Sequence, residues 1–230
     1  MNMGGPAHHH SSEKPQEGQV NFHHAHHFKN ADEQFVTAKL GMWVFIMQEI
    51  LFFTPLFVGY FMYKGQYFPS FHEAAKSLDP VMGAVNTVIL ITSSFTMARA
   101  VSAAQRGNRE ALKENLLWTI LCAIGFLVVK YLEYSHKIHD GLLPGSHFNN
   151  AELLSVAPQA PLFFAFYFAM TGLHGIHVLV GVGVLTWLWF RARRGDFGSN
   201  YYTPVEMTGL YWHLVDLIWI YLFPILYLVG

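Results

Sequence analysis

Two histidines three residues apart, His174 and His177, lie in a run from Pro161 to Phe190 that contains no Lys, Arg, Asp or Glu. His213 and Asp216 repeat that spacing in a later apolar run, Lys130 and Glu133 repeat it in an earlier one, and Glu49 stands among Leu and Phe in the first. Side chains at i and i+3 share a helix face, so each pair can meet a partner or a ligand together. Histidines on facing helices can ligate haem, and His174, His177 and His213 with a carboxylate could hold a metal. Buried carboxyls and a lysine can relay protons. Neither duplicated histidine pairs across two helices nor HExxH-type spacing occurs. The residues therefore favour a plainer reading, in which the histidines hydrogen-bond to Glu133, Asp216 or backbone carbonyls and stitch helices together.

These groups must be positioned by membrane spans. Five apolar runs, about 40–63, 80–104, 116–134, 161–190 and 207–229, are long enough to cross a hydrocarbon core of roughly 30 Å. Backbone groups in lipid must be satisfied within the segment or in a closed barrel, and long runs without alternation do not read as barrel strands. The expected fold is all-α, a polytopic bundle of five transmembrane helices comprising residues 30–230. Hydrophobic residues make up 53% of the chain and charged residues 13%, and the net charge is -1, which leaves no basic footprint for nucleic acid. Cys122, the single cysteine, excludes an internal disulfide and a cysteine metal cluster.

If the spans alternate, most of the fourteen Lys and Arg residues, from Lys14 to Arg194, fall on one side, with Lys64, Lys76 and Lys137 on the other. The positive-inside rule then puts the amino terminus in the cytoplasm, or on the matrix side in an organelle, and the carboxyl terminus on the opposite face. Residues 1–29 hold half of the fourteen histidines among Ser, Glu, Lys, Pro and Gln, and read as a disordered His-rich tail. The stretch before residue 40 has no apolar core before a cleavage site and does not read as a secretory signal. Asn30 and Glu33 resemble a capping pair for a short interfacial helix leading into the first span.

Within the spans, an ionisable group at depth costs at least ~2.5 kcal/mol and normally has a partner in the bundle interior. Glu49 lies roughly 13 Å beyond Leu40 along a helix, where a carboxyl suits proton relay or a strong buried hydrogen bond. Pro55, one turn later, is expected to bend that helix. Lys130 and Glu133 are expected to form a local salt bridge with the lysine snorkelling outward. Asn86 and Thr87 read as cross-helix hydrogen-bond glue, and Gly172, Gly175, Gly181 and Gly183 as points of close helix approach.

The run Gly41 to Phe53 with Gln48-Glu49, the pair Asn86-Thr87, the segment Tyr131-Leu-Glu133-Tyr134, the segment Thr171 to Val178 with its two histidines, and Tyr211-Trp-His213-Leu-Val-Asp216-Leu-Ile-Trp219 fall in order on five successive spans. Together they resemble subunit III of the haem-copper oxidases, over almost everything from Leu40 to Gly230. The resemblance implies an accessory subunit of a respiratory oxidase that binds no haem, copper or other metal itself and has no catalytic residue of its own. Oxygen reduction and proton pumping would belong to haem and copper in the partner subunits, with subunits I and II, and a small subunit IV where one is present, as partners.

The family also implies that the carboxylate matching Glu49 lies near the mouth of a proton-uptake route. It implies structural phospholipid held by basic groups at the cytoplasmic side, where Arg191 matches such a position and Arg193 and Arg194 are candidates on charge alone. Glu133 and Asp216 are further buried-carboxylate candidates, and Asn86, Lys130, His174, His177 and His213 make up the expected buried polar network. The chain resembles the short bacterial form that lacks the first two of seven spans, so a lipid cleft internal to the subunit is not expected, and Lys130 departs from the family pattern. The Gln-Glu-Ile-Leu-Phe-Phe run looks more like the cytochrome c oxidase version than the quinol oxidase version. Outside the family, a free-standing haem-binding electron carrier and an ion transporter are the alternatives.

Overall fold

The computed structural model describes residues 31–199 and 201–228; the histidine-rich tail and Asn30 lie outside them. The chain runs through α1 (Ala31–Gln66), α2 (Phe68–Ala75), α3 (Pro80–Gln105), α4 (Arg109–His139), a 3-10 turn at Gly145–His147, α5 (Ala151–Val156), α6 (Ala160–Arg194) and α7 (Thr203–Phe223), which continues as a π-helical turn, Pro224–Leu228. Five of these helices are long and apolar enough to cross a membrane. Among the described residues there is no strand, only two isolated bridges. The fold is an all-α, five-helix membrane bundle.

The helices begin where the sequence supplies caps. Asp79 accepts hydrogen bonds from the backbone N–H groups of Val81 and Met82 at 2.8 and 3.4 Å, with Pro80 at the first helical position of α3, where a missing N–H costs nothing. Asn108 does the same for α4 through Ala111 N–H at 3.1 Å. Gly195 closes α6 at φ +84°, a left-handed conformation that favours glycine, and the turn lets Asp196 reach back to Arg191.

Consecutive spans run antiparallel. α3 packs most extensively on α4, and α6 and α7 complete a tight group with them, while α1 lies against α6 and α7 more loosely. In α1 only 11% of the apolar stretch is buried, against 50% in α7, so Trp43, Met47, Leu51, Val58 and Met62 face lipid or a partner. Close approach is concentrated at particular glycines. A Cβ on Gly181 would lie 2.6 Å from the Trp212 ring, and one on Gly83 would lie 2.7 Å from Phe223. Gly172 is in ordinary contact with Tyr134, and Gly175 and Gly183 have open space, so of the four glycines expected to admit a neighbouring helix only Gly181 does so closely.

α1 is continuous from Ala31 through Gln66, so Phe35, Val36 and Leu40 belong to the helix of the first span rather than to a separate interfacial helix, and Pro55 lies within it. The connection after α1 is not simple turn: Phe71, Ala74 and Ala75 form a buried face on α2, with Phe71 in edge contact with Phe163 of α6. The last span ends in a π-helical turn, which places Tyr227 inside the bundle.

Candidate functional site

Glu49 on α1 meets His177 on α6. Its Oε2 lies 2.9 Å from His177 Nε2, while His177 Nδ1 lies 2.8 Å from the Leu173 carbonyl oxygen, one turn back on the same helix. A carbonyl only accepts, so Nδ1 carries a proton. A neutral imidazole then has a bare Nε2, which a carboxylate cannot bond. One more proton therefore bridges the pair, either as imidazolium donating to carboxylate or as carboxylic acid donating to imidazole. The pair is net neutral in both forms, so the proton can move between Oε2 and Nε2 without changing the buried charge. Rings of Phe52 and Phe53 lie 6.5 and 5.3 Å from the imidazole, and Tyr211 on α7 donates to the His177 carbonyl at 2.8 Å, tying α6 to α7 at this layer.

A second pair is buried more deeply and nearer the opposite membrane face. Ten residues of α6, roughly 15 Å at 1.5 Å per residue, separate His177 from Tyr167, which belongs to this second site. Lys130 Nζ donates to Glu133 Oε2 at 2.9 Å, to the Tyr227 hydroxyl at 2.9 Å and to the Tyr167 hydroxyl at 3.4 Å. Both phenols in turn donate to Glu133 Oε1, at 2.5 and 2.8 Å. The ammonium also sits 5.3 and 5.0 Å from the ring centroids of Tyr134 and Trp219, close enough for cation–π attraction. Lys130 therefore does not snorkel outward. The aromatic faces and phenol oxygens of α4, α6 and the final turn give it a better environment than the headgroup region would require it to reach for.

The histidines do not converge. His177 belongs to Glu49; His213 Nδ1 lies 2.7 Å from the Ser94 hydroxyl on α3; His174 is wholly buried between the rings of Phe126 and Trp219, at 5.5 and 5.3 Å, with neither ring nitrogen hydrogen-bonded. Among the described residues no group of three or more His, Cys, Asp or Glu is placed to hold a metal. The expectation that His174 bonds to Glu133, Asp216 or a carbonyl is corrected, because the packing of Phe126 and Trp219 occupies the space a polar partner would need. Asn86 likewise forms no cross-helix bond: its amide is buried without a partner, as are the Asp216 carboxyl oxygens, whereas neighbouring Thr87 accepts from Trp219 Nε1 at 3.1 Å.

At the other end of α6, Arg191 Nε donates to Asp196 at 2.8 Å and its guanidinium stacks within 5.1 Å of Trp187 and Phe197; Arg193 lies 4.9 Å from Trp189. The partners that sequence reasoning missed are Tyr167, Tyr227, Trp219 and Ser94. A signal existed for Tyr167, which stands one turn before Thr171 on the face of α6 that leads to His174.

A family model described as cytochrome c oxidase subunit III matches residues 17–230. The chain belongs to that family. Among its relatives, a probable cytochrome c oxidase subunit 3 from Rickettsia bellii is 32% identical over 212 residues, covering 84% of this chain and 69% of the relative. Quinol oxidase subunit 3 from Bacillus subtilis is 29% identical over 199 residues, covering 83% and 86%. A haem-copper oxidase subunit I+III from Aeropyrum pernix is 30% identical over 201 residues, covering 82% of this chain and 22% of that longer protein. The chain is thus a membrane component of a multisubunit haem-copper oxidase, and its family includes members named for either electron donor.

Proposed function

We propose that this chain is the accessory subunit III of a cytochrome c oxidase in a bacterial cytoplasmic membrane, with its amino terminus in the cytoplasm. It binds no redox centre, packs against subunits I and II, and supports assembly, lipid binding and sustained proton uptake while its partners reduce oxygen and pump protons. The observation that carries this reading is the Glu49–His177 pair, a proton-holding couple at the midpoints of α1 and α6, with Glu49 on the helix that most exposes its surface. Because its bridging proton shifts between oxygen and nitrogen at constant charge, the pair stays neutral when it releases one proton as another arrives from the aqueous side, and only such coupled uptake and release avoids an isolated buried ion.

Arg191, Arg193 and Arg194, gathered at the end of α6, supply positive charge on the same face for a phospholipid headgroup, with Trp187 and Trp189 beside them at interfacial depth. The Gln48-Glu49-Ile-Leu-Phe-Phe run supports cytochrome c as donor; the quinol oxidase relatives support the second reading, subunit III of a quinol oxidase. The test is affinity purification of the chain from its native membrane in mild detergent, with identification of the accompanying polypeptides and a reduced-minus-oxidised spectrum. Oxidase haem bands that arrive only with partner subunits, and turnover with reduced cytochrome c, are expected. A haem band in the isolated chain would overturn the accessory reading, and turnover with quinol alone would select the second one.

A further inference from the structure

We propose that Glu133, with Lys130, Tyr167 and Tyr227, forms a proton-binding site that exchanges with the aqueous phase on the membrane face opposite the amino-terminal end of α1. The site is independent of Glu49 and of which donor the oxidase uses. A cavity of about 340 Å³ opens at that face where the start of α3 meets the end of α4, and Glu133, although only 1% exposed, forms part of its wall together with Asp79, His136, His139 and Asp140. An ion pair kept only for stability has no need of a polar vestibule with its glutamate in the wall.

The proton balance follows from the contacts. With Lys130 as ammonium and Glu133 as carboxylate the cluster is neutral. A proton arriving from vestibule water adds to a Glu133 oxygen, and the cluster becomes singly positive. A phenol hydroxyl that had donated to that oxygen rotates to accept instead, which requires no heavy-atom movement. The ammonium does not have to lose its own proton in compensation. The ring faces of Tyr134 and Trp219 and the two phenol oxygens continue to hold it after its counter-ion is neutralised. The cage is therefore the feature that permits a carboxylate to titrate beside a buried cation.

Charged groups face the site from every side. On α4, Lys137 lies one turn beyond Glu133, buried and donating to the Ser77 carbonyl, and His136 and His139 line the vestibule beside it. Asp79 at the α3 cap and Asp140 line it from the other side. From α6 come Tyr167 and, beyond Trp219, His174; from the final turn comes Tyr227; Tyr134 completes the α4 side.

The test uses the full chain in its purified oxidase complex, reconstituted in vesicles, with infrared difference spectra recorded on stepping from neutral to acidic pH in H2O and D2O. A protonated-carboxyl band should appear on acidification, shift in D2O, move in frequency in Glu133→Asp and vanish in Glu133→Gln. In Met82→Phe, which narrows the vestibule while leaving the cluster untouched, the same band should form and exchange several-fold more slowly. Should Glu133→Gln fail to assemble, the frequency change in Glu133→Asp and the slowing in Met82→Phe still decide the matter. An acid-induced spectrum unaffected by Glu133→Asp, or a Glu133 band that exchanges at the wild-type rate with the vestibule narrowed, overturns the proposal.

Discussion

Removing one member of the Lys130–Glu133 pair should be far more damaging than removing both. At 2.9 Å and an effective dielectric constant of about 20, the Coulomb attraction alone is about 6 kcal/mol. Each ion also takes hydrogen bonds from or to the two phenols, each worth about 1.5–3 kcal/mol when one group is charged. Against these stands a desolvation penalty of several kcal/mol per ion, so the net worth of the pair is small while the cost of orphaning one ion is large. Lys130→Met leaves a buried carboxylate without its cation and should cost about 3–5 kcal/mol, with Glu133→Gln costing a similar or smaller amount because the ammonium keeps the faces of Tyr134 and Trp219 and the two phenol oxygens. The double variant should be less unstable than either single, and so below the sum of the singles by about 3 kcal/mol or more, well beyond the ~0.5 kcal/mol within which independent sites add. The assay is a double-mutant cycle on the unfolding of the purified complex, followed by loss of this chain. Additive costs would refute the reasoning, since they would mean that the two ions do not depend on each other.

Gly181→Ala should destabilise the α6–α7 contact by about 1–3 kcal/mol, because its new methyl would meet the Trp212 ring at 2.6 Å, whereas Gly183→Ala, two residues on in open space, should be neutral; thermal stability of the two variants side by side checks this. Asn86→Leu should change stability by no more than about 1 kcal/mol, since the buried amide makes no bond to lose and its burial already carries a penalty. Thr87→Val, by contrast, strands the indole N–H of Trp219 and should cost about 1–3 kcal/mol, read from the same melting curves together with the Trp emission maximum.

The spans were legible because thirty largely apolar residues in a row without a charge have few other solutions in lipid. That Lys130 and Glu133 meet is a matter of helical spacing, and spacing is local. Which way Lys130 turns is not local. The choice between snorkelling and the cage depends on Tyr167 and Tyr227, which come 37 and 97 residues later and reach the site only through the antiparallel register of α6 and the final turn. The same reason hides Glu49's partner. His177 and His174 look alike in sequence, yet the rotation of α6 gives one a carboxyl and a carbonyl and the other two aromatic rings. Asn86 and Thr87 are adjacent polar residues of equal promise, and the direction of Trp219 on α7 decides that only the threonine is bonded.

The most direct test of the account is Glu49→Gln in the assembled oxidase, with turnover and proton uptake followed over many cycles in vesicles across a range of pH. The amide preserves shape and can still hydrogen-bond to His177, but it cannot exchange the bridging proton. Normal subunit content and haem spectra are expected, with slower proton uptake and earlier loss of activity during turnover. Uptake, pumping and endurance equal to the wild type at every pH would contradict it and leave the Glu49–His177 pair a purely structural tie between α1 and α6.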